Sequence, residues 1–92
     1  MARFINIGFG NIVNGEKIVA VVSPDAAPIK RMVQNAKENG RIIDATQGRR
    51  TKAVLITEED FVVLSALQPD TIGRRFQPDD KNISEGKGDL DE

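Results

Sequence analysis

Asp44-Ala45-Thr46-Gln47-Gly48-Arg49-Arg50-Thr51-Lys52, followed directly by Ala53-Val54-Leu55-Ile56, is the stretch on which the reading of this chain turns. A polar turn carrying three cations within four positions runs straight into a short apolar segment, so the charges stand at the mouth of something that packs. Neighbouring cations repel one another, and arginine offers planar, bidentate recognition of phosphate. The pattern points to an anion-binding surface, above all for nucleic acid. The same residues also fit a solvated turn whose charges keep a strand end soluble.

Working outward, Arg41-Ile42-Ile43-Asp44 enters the turn as a strand and Ala53 to Ile56 leaves it as another, which predicts a hairpin. Thr57-Glu58-Glu59-Asp60 reads as a second turn, because the β-branched and aromatic run Phe61-Val62-Val63-Leu64 favours a returning strand over a helix. Gln68-Pro69-Asp70 breaks that strand, and Asp70 is placed to cap a short helix over 71–76. Upstream, Ile29, Met32, Val33 and Ala36 share one face of an amphipathic helix. It starts near Asp25 or Ala26, with Ser23 as an N-cap candidate and Pro28 in the first turn, and it stops at Asn39-Gly40. Ile18-Val19-Ala20-Val21-Val22 is a continuous apolar run, the signature of a strand covered on both faces. Asn14-Gly15 predicts a two-residue hairpin turn before it, with Lys17 at the strand start. Arg3 to Ile7 forms a first strand, and Gly8-Phe9-Gly10-Asn11 a tight turn with Phe9 folded onto the core. The fold class is α+β: a small antiparallel sheet of hairpins, one main amphipathic helix and a short C-terminal helix.

Ninety-two residues with 39% hydrophobic content describe one small domain with a small core, for which self-association is an extra source of stability. There is no cysteine, so neither disulfides nor thiolate metal sites contribute. No signal peptide or membrane span is evident, and a cytoplasmic location is expected. The net charge of -1 conceals an asymmetry. Residues 1–52 hold nine Lys or Arg against four Asp or Glu, whereas residues 77–92 hold two against six. Residues 1–76 form the folded, basic part, and residues 77–92 read as an acidic disordered tail too poor in apolar groups to offset its ordering entropy. If that tail competes for the basic turn, deleting residues 77–92 tightens DNA binding at low salt, which a titration at low ionic strength measures.

Enzyme chemistry has little to work with. Histidine, cysteine, tyrosine and tryptophan are all absent, which removes the commonest general base, the thiol and the phenol. Gly8-Phe9-Gly10 is no dinucleotide fingerprint, since Val13 occupies the place of the third glycine and no helix follows. Metal-ligand spacing is missing and no cofactor is expected. The four phenylalanines are assigned to core or turns, so stacking on single strands is disfavoured and contact with a duplex backbone is the better fit. Lys17, Arg49, Arg50 and Lys52 stand near strand ends or loops and converge if the two hairpins are neighbours. Lys30 and Arg31 either extend that face or form a solvated helix flank.

Several ordered segments carry a resemblance: Asn6 to Asn11, Val22-Ser23-Pro24, Ala27-Pro28-Ile29-Lys30-Arg31-Met32, Ile43-Asp44-Ala45-Thr46 with Gly48-Arg49-Arg50-Thr51, and Leu64-Ser65-Ala66 with Gln68-Pro69. Together they resemble the RemA-like extracellular matrix regulatory proteins over about residues 3–76, leaving the acidic tail unmatched. The resemblance implies a subunit that assembles into a closed ring, binds double-stranded DNA and activates transcription of biofilm-matrix operons. It carries the DNA-contacting role onto Arg49 and Arg50, places Lys17 where relatives commonly have arginine, and puts Pro28, Ile29 and Met32 in a subunit contact. Two further readings stay open beside it: an oligomeric protein-interaction scaffold whose basic loops receive an acidic protein without direct DNA binding, and an RNA binder.

Overall fold

A computed structural model describes residues 3–76, and the segment 77–92 lies outside the described residues. Strands β1 (Phe4–Gly8) and β2 (Asn11–Asn14) form a two-stranded antiparallel ribbon. A four-stranded sheet is built from β3 (Ile18–Val22), β4 (Ile42–Ala45), β5 (Ala53–Thr57) and β6 (Val62–Ser65), in the order β3-β5-β6-β4. Helix α1 (Ala27–Glu38) joins β3 to β4, and α2 (Pro69–Phe76) follows β6. The α+β class and both helices match the sequence-based expectation.

Residue alternation in the two central strands sets the layering. On one sheet face Ala53, Leu55 and Val63 pack with Ile5 and Ile7 of the ribbon and Ile72 of α2. On the other, Val54, Val62 and Leu64 pack against Ala36 of α1, with Ile29 and Val33 partly buried beside them. The sheet is therefore sandwiched, ribbon and α2 on one side and α1 on the other, as strands without a polar face require. Helix α1 ends in a Schellman motif: the Arg41 N–H donates to the Ala36 carbonyl (2.8 Å) and the Gly40 N–H to the Lys37 carbonyl (3.3 Å). Gly40 supplies the left-handed residue, as the Asn39-Gly40 stop signal predicts.

Strand pairing departs from expectation in two places. The segments flanking the basic turn do not form a hairpin: β4 runs parallel to β6, and β6 lies between β4 and β5. All four residues of β6 are buried, so it gains most from two neighbours, while β4, with Asp44 and the 49% exposed Ile43, tolerates the edge. Nor does Asn14-Gly15 turn a hairpin. Asn14 instead caps a 3-10 turn at Gly15–Lys17, its side-chain oxygen accepting from the Glu16 N–H (3.0 Å), and the chain leaves the ribbon for the other sheet. Gly15 is needed there for space, because a Cβ would stand 3.0 Å from the Phe76 ring and 3.1 Å from Ile5. The expected hairpin of β5 and β6 does form, closed by the turn at 57–60.

Three smaller corrections have local causes. β3 is an edge strand whose ladder shifts register between Ile18 and Ala20, leaving Val19 65% exposed, although Val21 and Val22 pack on opposite faces. Ser23 accepts from the Asp25 N–H (3.3 Å) in a turn before α1 and is not its cap; Ala26 holds the cap position. Asp70 lies inside the first turn of α2, which starts at Pro69, so it favours the helix dipole from within and does not cap it.

Candidate nucleic-acid interface

The basic turn is held from below by Asp44. Its Oδ1 accepts from both the Thr46 N–H (2.9 Å) and the Thr46 hydroxyl (2.6 Å), and Thr46 is buried. From there the backbone reverses over Gln47 (φ 56°) and Gly48 (φ 79°), and the Arg49 N–H donates back to the Thr46 carbonyl (3.0 Å). Both central φ values are positive, the mark of a primed two-residue turn, in which glycine meets no steric penalty. The far end is fixed where the Lys52 N–H donates to the Ser65 carbonyl (2.8 Å). Arg49, Arg50 and Lys52 consequently project, exposed, from a backbone tied at both ends.

Two clefts flank these cations. One, of about 450 Å³, is lined by Ser23, Pro24, Asp25, Arg50, Lys52 and Asp70 among others; the second, of about 290 Å³, by Phe9, Arg49, Arg50, Lys52, Ala66 and Leu67. The first is lined by two carboxylates as well as its cations, whereas the second has none. An anion would accordingly meet less carboxylate repulsion on the Phe9 side. The Arg49 guanidinium lies over the Phe9 ring, 5.4 Å from its centroid. Among the described residues no carboxylate forms an ion pair with Arg49, Arg50 or Lys52.

Lys17 is elsewhere. It precedes β3 beside the Thr57 end of β5, where its carbonyl accepts from the Glu58 N–H (2.9 Å) and its ammonium stands 3.9 Å from the Glu58 carboxylate. The basic turn adjoins the Ala53 end of the same strand, so one subunit does not bring Lys17 into the cluster. Lys30 and Arg31 are exposed on α1. Of the residues assigned to a subunit contact, Pro28 and Met32 are exposed, while Ile29 is half-buried in its own subunit's core. Phe9 is not folded onto the core: it is 47% exposed at the ribbon tip. The Gly8-Phe9-Gly10 spacing signalled a turn there, but nothing local signalled its partner forty residues away. Among the described residues no cluster of acidic groups is placed to hold a metal, and no helix is long and apolar enough to cross a membrane.

Thr46 holds the Asp44 carboxyl below the usual carboxylate range, chiefly through its hydroxyl and then its backbone N–H, with Lys37 adding a smaller effect against the opposing cost of desolvation. A folded-state pKa depressed below the unfolded value of about 3.9 stabilises the turn above that pH, and the contribution is lost as pH falls through the folded value. With no histidine in the chain, anion binding at this turn is expected to be flat between pH 6 and 8 and to weaken only below about pH 4, as affinity measured across that range checks.

These features define a small sandwiched-sheet α+β protein that presents an exposed cationic turn on a backbone tied at both ends. Residues 4–76 match the family described as extracellular matrix regulatory protein A-like, or RemA-like, and the chain belongs to that family. It is 60% identical over 80 residues to a protein of Halothermothrix orenii, covering 87% of this chain and 95% of the relative. It is 52% identical over 86 residues to one of Geobacillus thermodenitrificans, covering 94% and 99% respectively. A protein of Clostridium botulinum is 54% identical over 83 residues, covering 90% and 93%. All three relatives carry regulatory-protein names.

Proposed function

We propose that this chain is a cytoplasmic, double-stranded-DNA-binding transcriptional regulator, an activator of matrix or biofilm-type operons, which assembles into a closed ring and contacts phosphates through the repeated basic turn. The observation that carries the reading is the turn itself: two arginines and a lysine, exposed and without carboxylate partners among the described residues, on a backbone fixed at both ends beside an acid-free cleft. One subunit supplies only a few phosphate contacts, which give weak and sequence-independent attraction. Repetition around a ring multiplies them through effective concentration, provided the duplex bends to follow the rim. Pro28 and Met32 offer side chains to a neighbouring subunit, and Ile29 anchors the helix that presents them. Lys17, already beside Glu58, joins the DNA surface as a lesser contact from the other end of the sheet.

A protein-interaction scaffold is the second reading, favoured by the exposed Phe4 (63%) and Ile12 (60%) on the outer ribbon face. A salt series of duplex affinity on the assembled protein decides between them. Steep weakening with salt supports DNA binding, and absence of binding, with partners whose capture survives nuclease, supports the scaffold.

A further inference from the structure

We propose that Phe9 is the positioning residue of this interface, its ring holding the Arg49 guanidinium in place to meet a phosphate; the inference rests on the duplex-binding reading above. Phe9 and Gly10 form the two-residue connection between β1 and β2, where Gly8 pairs with Asn11. Their φ values are 54° and 77°, nearly those of Gln47 and Gly48 in the basic turn. The left-handed region disfavours a bulky residue, and asparagine, aspartate or glycine is the usual occupant of such a turn. Phenylalanine at that position is therefore held against local preference, yet core burial does not account for it, since 47% of its surface is exposed.

What the ring does contact is Arg49, at 5.4 Å from centroid to guanidinium carbon. A guanidinium stacked on an aromatic face keeps its N–H edge free, so stacking and bidentate donation to phosphate are compatible. An arginine already confined also surrenders less rotamer freedom on binding. The two matched turns thus act as one device: the ribbon supplies the shelf, and the basic turn supplies the charge. Phe9 carries no charge, so its removal lowers affinity at every salt concentration without changing the number of phosphates contacted.

The test uses the full-length assembled protein and one duplex across a salt series, with Phe9→Leu, Phe9→Tyr, Phe9→Asn, Arg49→Ala and the Phe9→Leu/Arg49→Ala pair. Asparagine suits the left-handed turn, which guards against misfolding. Phe9→Leu and Phe9→Asn are expected to weaken binding about two- to fivefold per engaged subunit with the salt slope retained. Phe9→Tyr restores binding, and Phe9→Leu has no further effect once Arg49 is alanine. In the DNA-free protein, the ring current shifts the Arg49 side-chain N–H resonance upfield, and Phe9→Leu abolishes that shift. Wild-type affinity in Phe9→Leu would overturn the proposal while leaving duplex binding intact, as would independent, additive losses in the pair. Wild-type affinity in Phe9→Leu with loss only in Phe9→Asn would instead make the side chain an apolar wedge between base steps. Failure of the wild type to bind the duplex at any salt would overturn the duplex reading and the positioning role together.

Discussion

Replacing Arg49 and Arg50 together by alanine is expected to lower the slope of log affinity against log salt by about 1.8 per engaged subunit, because each lost phosphate contact removes about 0.9. Wild-type binding should weaken with salt more steeply than the variant's, with a gap that widens with every subunit the duplex touches on the proposed reading. Between 50 and 200 mM salt, the two contacts account for roughly a twelvefold change in affinity per subunit. Folding should survive, since both side chains are exposed and neither is ion-paired with a carboxylate among the described residues. The backbone that presents them is tied by Asp44, Thr46 and Ser65 and does not depend on the guanidinium groups. Assembly state must therefore be checked in the same samples, and equal slopes in an assembled variant would move the contact surface off this turn. Lys17→Ala is the internal comparison: lying at the other end of β5 beside Glu58, it should change the slope less than either arginine.

The cations of that turn were legible in the sequence because a charge cluster against an apolar run is a local pattern. So was α1, whose apolar spacing and Asn39-Gly40 stop are complete within fourteen residues, 27–40. Strand partnership was not. A four-residue apolar run states that it will be buried and leaves open by what, so Val62 to Ser65 could not announce that it would separate β4 from β5. The Asn14-Gly15 signal misled for a related reason: the dipeptide suits a primed turn, but the constraint on Gly15 is the approach of Phe76 and Ile5, and Phe76 is remote from Gly15 in sequence. Conversely, the true hairpin turn at Phe9-Gly10 carries at its first position a residue type its geometry disfavours. Where a local rule is broken in that way, the compensation lies in a long-range contact, and here that contact is with Arg49 of the basic turn.

Ser65→Ala is expected to have the largest effect on stability of any polar substitution considered. Ser65 is fully buried, and its hydroxyl donates to the Ile7 carbonyl (2.8 Å) while accepting from the Leu67 N–H (3.0 Å). Ile7 lies where the β1 and β2 ladder shifts register, between Asn6 and Gly8, so this hydroxyl ties the ribbon to the main sheet. Alanine fits the space but strands one buried acceptor and one partly buried donor. At about 1–3 kcal/mol each, the loss comes to roughly 2–6 kcal/mol. In a domain of this size, each kcal/mol lowers Tm by about 4–8 °C. Thermal unfolding at fixed protein concentration measures it, the concentration being held because assembly would otherwise shift the midpoint. Ser23→Ala, whose exposed hydroxyl accepts one 3.3 Å bond, should cost less than about 0.5 kcal/mol and serves as the control. The same change should also reach the interface. The Ser65 carbonyl anchors Lys52, and Leu67 packs where a Cβ on Gly8 would stand, 3.3 Å away, next to Phe9. Loss of the hydroxyl thus loosens the shelf and the charged turn together, and duplex affinity should fall below wild type even at temperatures where the variant remains folded. A Ser65→Ala protein with wild-type Tm would mean that the ribbon is held by its apolar contacts and by the bonds from Arg75 to the Asn6 carbonyl and from Asn11 to the Ala45 carbonyl, without help from this hydroxyl.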